Sequence, residues 1–144
     1  MAFFSAADTL TRPIDRAKRK IMANLTALKL RIETSRFTES KAFYCDLLGL
    51  NVIESWSGDG PTGSILGLSN DIEAEGFLEL AEAEQTASHQ GLSIQIRVDD
   101  LDKLRRKLDG KIDYTGPTMR PWGSVYLYLV DPNGIQVIVY EGRI

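Results

Sequence analysis

The sequence predicts an α+β fold in which one βαβββ pattern occurs twice within a single domain. Three observations predict it. Strand-like alternation appears at residues 25–32 and again at 91–98, a short amphipathic helix pattern follows each, and short apolar segments bounded by turn residues follow each helix. With 144 residues, 43% of them hydrophobic, the chain can bury one core and is too short for two independent ones. Neither half could cover both faces of a four-stranded sheet alone, so the two sheets are expected to curve around a cavity.

Taken in order, residues 1–22 form an N-terminal extension, expected to be helical. It opens on Phe3 and Phe4 and then carries Arg12, Arg16, Lys18, Arg19 and Lys20. A signal peptide places its charges before its apolar stretch, so this order is the reverse of one. The extension is read as an arm that packs on the domain or on a second subunit. The domain itself is expected over 23–144, with module 1 at about 25–82, a linker at 83–90 and module 2 at about 91–142.

Module 1 begins with Leu25-Thr-Ala-Leu-Lys-Leu-Arg-Ile32, where Leu28, Leu30 and Ile32 share one face and Lys29, Arg31 and Glu33 the other, the mark of a half-buried strand. Phe43, Tyr44, Leu47 and Leu48 then fall on one helical stripe, with Thr38 as a candidate N-cap and Gly49 as the stop. Phe43 and Tyr44 are expected in the core, with Cys45 beside them as a small packed residue. Three strand-like segments follow at 51–56, 64–69 and 76–82.

Module 2 repeats the order. An alternating strand at 91–98 leads to a helix with Asp99 or Asp100 as cap, Leu101, Leu104 and Leu108 as stripe and Gly110 as stop. Strands are expected near 112–116, at 124–130 and at 135–141, the last two joined by the turn Asp131-Pro132-Asn133-Gly134.

The bulk charge narrows the partners. A net charge of −3 argues against nonspecific nucleic-acid binding, which needs a positive face, and no apolar run is long enough to span a bilayer. Cys45 is the single cysteine, so no intrachain disulfide forms, and the composition suits a reducing cytoplasm.

The segments at 36–52, 98–108 and 116–141 carry Phe-Tyr and Leu-Gly-Leu on the first helix, then Pro-Trp-Gly, a strand and Asp-Pro-Asn-Gly. These landmarks resemble those of the vicinal oxygen chelate superfamily, which includes glyoxalases, bleomycin-resistance proteins and extradiol dioxygenases. The resemblance covers about residues 25–142 and implies the twofold βαβββ fold. It leaves function open, since one scaffold hosts isomerases, lyases, dioxygenases and drug-sequestering proteins.

Metal-using relatives place ligands at four points, which align here with Lys29, Glu79, Ser93 and Ile138. Only Glu79 is an ordinary ligand, so the resemblance implies a chain without metal or other cofactor. The sole histidine, His89, falls in the linker and is read as an exposed loop residue.

The family's ligand positions face the cavity, and alternation then places their neighbours. The implied lining is Lys29, Arg31, Glu33, Phe77, Glu79, Ser93, Gln95, Arg97, Ser124, Tyr126, Tyr128, Gln136, Ile138 and Tyr140, with Trp122 at the mouth. Such a mix of cations, carboxylates and phenols suits a small oxygen-rich or aromatic ligand. The same charges could instead be a salt-bridged network across the sheet.

Two function classes follow. One is a sequestering protein that works as a homodimer. The other is a cofactor-independent isomerase, cyclase or lyase, with Glu79 or Glu33 as general base and Tyr128, Tyr126 or Arg97 stabilising an enolate or phenolate. A metal-dependent glyoxalase or dioxygenase, and a pure interaction module built on the N-terminal arm, rank below both.

Overall fold

The computed structural model describes residues 23–69 and 76–144. The expected helical extension over 1–22 lies outside the described residues. Strand β1 (Leu28–Thr34) leads to helix α1 (Phe37–Lys41), which runs on in wider turns over Ala42–Leu47. Strands β2 (Asn51–Trp56), β3 (Gly63–Gly67) and β4 (Gly76–Glu82) complete the first module. The second consists of β5 (Ser93–Arg97), α2 (Leu101–Leu108), β6 (Thr115–Met119), β7 (Val125–Val130) and β8 (Gln136–Glu141).

Two four-stranded sheets result, ordered β1-β4-β3-β2 and β5-β8-β7-β6. Each pairs its first and last strands in parallel and the rest antiparallel, so the α+β reading with a repeated βαβββ unit holds. The repeat equates register positions: Arg31 opposite Glu79 in module 1 corresponds to Gln95 opposite Ile138 in module 2.

Alternation sorts each strand between two faces. Ile32, Leu66, Leu78 and Leu80 from the first sheet join Leu127, Leu129, Val137 and Val139 from the second, with Phe43, Tyr44, Leu101 and Leu108, in one continuous core. Burying each such aliphatic side chain contributes about 1.5–3 kcal/mol, so the shared core is what makes the modules one unit. Among the described residues no helix is long and apolar enough to cross a membrane.

The helices start and stop for identifiable reasons. Asp100 accepts from Lys103 N at 3.0 Å and caps α2, and Glu141 accepts from Leu101 N at 3.1 Å. Thr38 does not cap α1. The helix begins at Phe37, one residue ahead of it, and the Thr34 hydroxyl instead accepts from Arg36 N at 2.8 Å just before the first turn. The strand expected near 112–116 begins only at Thr115, because Lys111 and Ile112 still donate to Leu108 O and belong to the end of α2.

The turn 131–134 does more than reverse the chain. Asp131 Oδ1 accepts from the amides of Asn133 (2.8 Å) and Ile135 (2.9 Å), fixing the turn, while Asp131 Oδ2 accepts from the Tyr44 hydroxyl at 2.7 Å. Asn133 donates to Ser40 Oγ at 3.1 Å and accepts from Thr34 Oγ1. A turn of module 2 is thereby bolted to the helix of module 1 inside the core. Burial, the bond to Asp131 and its charge together push the Tyr44 hydroxyl far above its ordinary pKa, so it stays a donor at any working pH.

Candidate functional site

The face of each sheet turned away from the helices carries the polar side chains, and the two modules furnish it differently. In module 1 the ladder sets Lys29 opposite Phe77 and Arg31 opposite Glu79. Glu79, only 7% exposed, receives Lys29 Nζ at 3.1 Å on one oxygen and Arg31 Nη1 at 2.8 Å on the other. Arg31 also reaches Glu33 at 3.3 Å. Burial pushes the Glu79 carboxyl up, but hydrogen bonds and charge from Lys29 and then Arg31 outweigh it and hold the group below the usual value. Two cations and two carboxylates therefore satisfy one another. Beside them lies a recess of about 250 Å³ lined by Ala27, Lys29, Ile53, Glu54, Ile65 and Phe77.

Module 2 presents aromatic rings in place of an ion network. Tyr126 has ring centroids of Trp122 at 5.8 Å, Tyr128 at 5.9 Å and Tyr140 at 5.5 Å, the first two in edge-to-face contact. The register explains the cluster: Tyr126 pairs with Tyr140 across β7 and β8, and Tyr140 pairs with Arg97 on β5. The Arg120 guanidinium lies over the Trp122 ring at 5.0 Å and the Tyr126 ring at 5.9 Å. A tight turn holds it there, with Arg120 N donating to Ser124 O at 2.7 Å and Gly123 N to Arg120 O at 2.9 Å. Tyr128 and Gln136 line a second recess of about 540 Å³ with Ile112, Tyr114 and Thr115.

Several expected positions are occupied otherwise. Ser124 spends its hydroxyl on Arg143 O at 3.0 Å, and Ile138 lies beneath its neighbours with 6% exposure. The Ser93 hydroxyl is buried and has no hydrogen-bond partner among the described residues, as is Nε2 of His89. His89 is half-buried, which corrects its reading as an exposed loop residue. Phe43 and Tyr44 lie in the core as expected, while Cys45 is half-buried with its thiol pushed up chiefly by burial, an unreactive setting.

The structure thus unites Lys29, Arg31, Glu33 and Glu79 in one set and Trp122, Tyr126, Tyr128 and Tyr140 in another. No hydrogen bond, ion pair or ring contact between described residues joins the two sets. Arg120 belongs to the second set, although the sequence reading passed over it. The available signal was its place directly before Pro121-Trp122-Gly123.

The four positions aligned with metal ligands do not fit a divalent ion. Lys29 brings an ammonium, Ile138 no donor, and both oxygens of Glu79 are already engaged. Among the described residues no three His, Cys, Asp or Glu side chains are grouped as a metal site.

Comparison with known proteins places this geometry. Among solved structures, TnmS3, an antibiotic binding protein from Streptomyces sp. CB03234, is 20% identical with a TM-score of 0.66, over 85% of this chain and 99% of its own. An integron cassette protein from the mobile metagenome of a Halifax Harbour sewage outfall is 20% identical with a TM-score of 0.65, covering 84% and 100%. A lactoylglutathione lyase from Agrobacterium tumefaciens is 19% identical with a TM-score of 0.59, covering 80% and 92%. At such identities the likeness is one of fold. Comparison with curated protein sequences finds no match. The sequence profile of one family matches residues 28–139, and with that span the chain belongs to the Glyoxalase/Bleomycin resistance protein/Dioxygenase superfamily.

Proposed function

We propose that this protein binds a small aromatic or oxygen-rich organic molecule on the helix-free faces of its sheets, without a metal, and acts by sequestration in the cytoplasm. The observation that carries the reading is the cluster of Trp122, Tyr126, Tyr128 and Tyr140 with a guanidinium above it, flat apolar area beside hydrogen-bonding groups. Trp122 is 45% exposed, so its ring is available to a ligand. The antibiotic-binding role named for TnmS3, a protein of the same fold, supports the same reading.

The catalytic alternative draws less support. A general base near neutral pH needs a carboxyl tuned upward, whereas Glu79 is held down by two cations, and Glu33 is an exposed carboxylate paired with Arg31. Tryptophan-fluorescence titration with aromatic probes, with mass spectrometry of the probe after incubation, in wild type and Glu79→Gln, separates the two. Sequestration predicts saturable binding in both, within a few-fold; an enzyme would show turnover in wild type and none in the variant.

The protein is further proposed to act as a homodimer. Leu28 is 72% exposed and Leu30 40%, both on β1, an edge strand of its sheet. They border an apolar cleft of about 180 Å³ shared with Leu68, Phe77, Ile94 and Ile96. An edge strand with an apolar face is a surface that a second copy would cover.

A further inference from the structure

The charges of the two modules are balanced differently, and the difference bears on what the ligand is. In module 1 every cation on the helix-free face has a carboxylate: Lys29 and Arg31 share Glu79, and Arg31 adds Glu33. In module 2 the corresponding face carries Arg97 and Arg120, and among the described residues neither is in an ion pair. The carboxylate of β8, Glu141, turns to the other face and accepts from Leu101 N. A protein of net charge −3 thus keeps two guanidinium groups on one aromatic face without an ion-pair partner among the described residues.

Arg120 is the more informative of the two. Its Nε is buried and has no hydrogen-bond partner among the described residues, and its side chain makes no hydrogen bond there. The turn at 120–123 and the stacking on Trp122 and Tyr126 hold the guanidinium in place over the rings. A guanidinium held in place without an ionic partner matches a carboxylate.

Arg97 marks the other end of the same row. It pairs with Tyr140, Tyr140 with Tyr126, and Arg120 covers Tyr126. At about 4.8 Å between adjacent strands, the Arg97 and Tyr126 backbones lie roughly 10 Å apart, two strand spacings across the sheet. The Tyr140 and Tyr126 rings lie between the two strands' cations in this row.

Resting on the ligand-binding reading above, we propose that the ligand class is the planar aromatic carboxylic acids, with Arg120 as the residue that selects the carboxylate and Arg97 the cation that meets a second acidic or polar substituent. The ring stacks against Tyr126 and Trp122, and the carboxylate meets the guanidinium of Arg120. No bond is made or broken.

The test compares 2-naphthoate with its neutral isostere 2-naphthamide on the full chain by tryptophan fluorescence, repeated with Arg120→Gln and Arg97→Gln and with circular dichroism as a check of folding. The expected result is naphthoate binding at least about tenfold tighter than the amide in wild type, with that preference lost in Arg120→Gln. Arg97→Gln should weaken 6-hydroxy-2-naphthoate more than naphthoate itself. Equal binding of acid and amide by the wild-type protein, or an unchanged preference in a folded Arg120→Gln, overturns the carboxylate assignment and leaves the ligand-binding reading standing. Failure of both probes to bind at millimolar concentration overturns both.

Discussion

Glu79 shows how the same residue reads differently once its neighbours are known. As a lone carboxylate at a position where relatives hold metal, it suggests a ligand or a base; with Lys29 and Arg31 on its two oxygens, it is the neutralising centre of a small network. Its folded-state pKa lies below the ordinary 4.5, so the stability it contributes is present in full above that value and is lost as pH falls through the lower folded value. Glu79→Gln is expected to cost about 1 kcal/mol at pH 7, less than the roughly 3–5 kcal/mol of breaking a fully buried pair, because both cations are about half exposed and regain water. Thermal melts at pH 7 and pH 3 check this: the gap between wild type and variant should narrow in acid. An equal gap at both values would mean that the ion pairs contribute nothing. The composition of this network is legible in the sequence, since alternation puts Lys29, Arg31 and Glu33 on one face of their strand and the family resemblance sets Glu79 on the same side. Arg120 is not, because a turn residue has no period and its orientation depends on backbone bonds to Ser124 and Gly123.

Among the elements, the β7–β8 turn carries a role that its turn chemistry does not reveal. The Asp-Pro-Asn-Gly pattern predicts a reversal, and Asp131 supplies it, but the residues that the turn grips, Tyr44, Ser40 and Thr34, lie about ninety positions away in the other module. Pairings at that separation leave no local signal. Tyr44→Phe removes a buried bond to a buried carboxylate and is expected to destabilise by about 1–3 kcal/mol, measured by urea unfolding with an unchanged slope. A value near zero would show that the joint does not hold the modules together. Gly116 places a second constraint, on the aromatic face: its φ is +105° and a Cβ there would come within 2.7 Å of Tyr126 O. Gly116→Ala should therefore shift β6 against β7 and change the near-ultraviolet circular dichroism of the Trp122–Tyr126 pair, beyond any loss of stability. The boundary of β6 was misplaced by the sequence for a related reason, since residues 111–112 are claimed by the end of α2 through Leu108 O rather than by the sheet.

Across the whole molecule, the repeat is the best-written feature. Two alternating strands, two amphipathic helix stripes and regular turn punctuation suffice to specify the βαβββ pattern, because each is a local signal. How the modules divide their labour is not written locally, since it follows from which side chains the registers bring opposite one another: ions in module 1, rings and free guanidinium groups in module 2. The homodimer expectation belongs to this scale as well. Sedimentation at micromolar concentration should give a dimer, and Leu28→Arg should give a monomer with unchanged circular dichroism. A monomeric wild type would remove the second copy from the account.

The central claim is that the ligand is held by aromatic and cationic side chains without a metal. It is tested most directly by measuring the affinity for aromatic carboxylates in the presence and absence of EDTA, and again after adding one equivalent of a divalent ion. One affinity is expected under all three conditions. Affinity that disappears with EDTA and returns with the ion would contradict it.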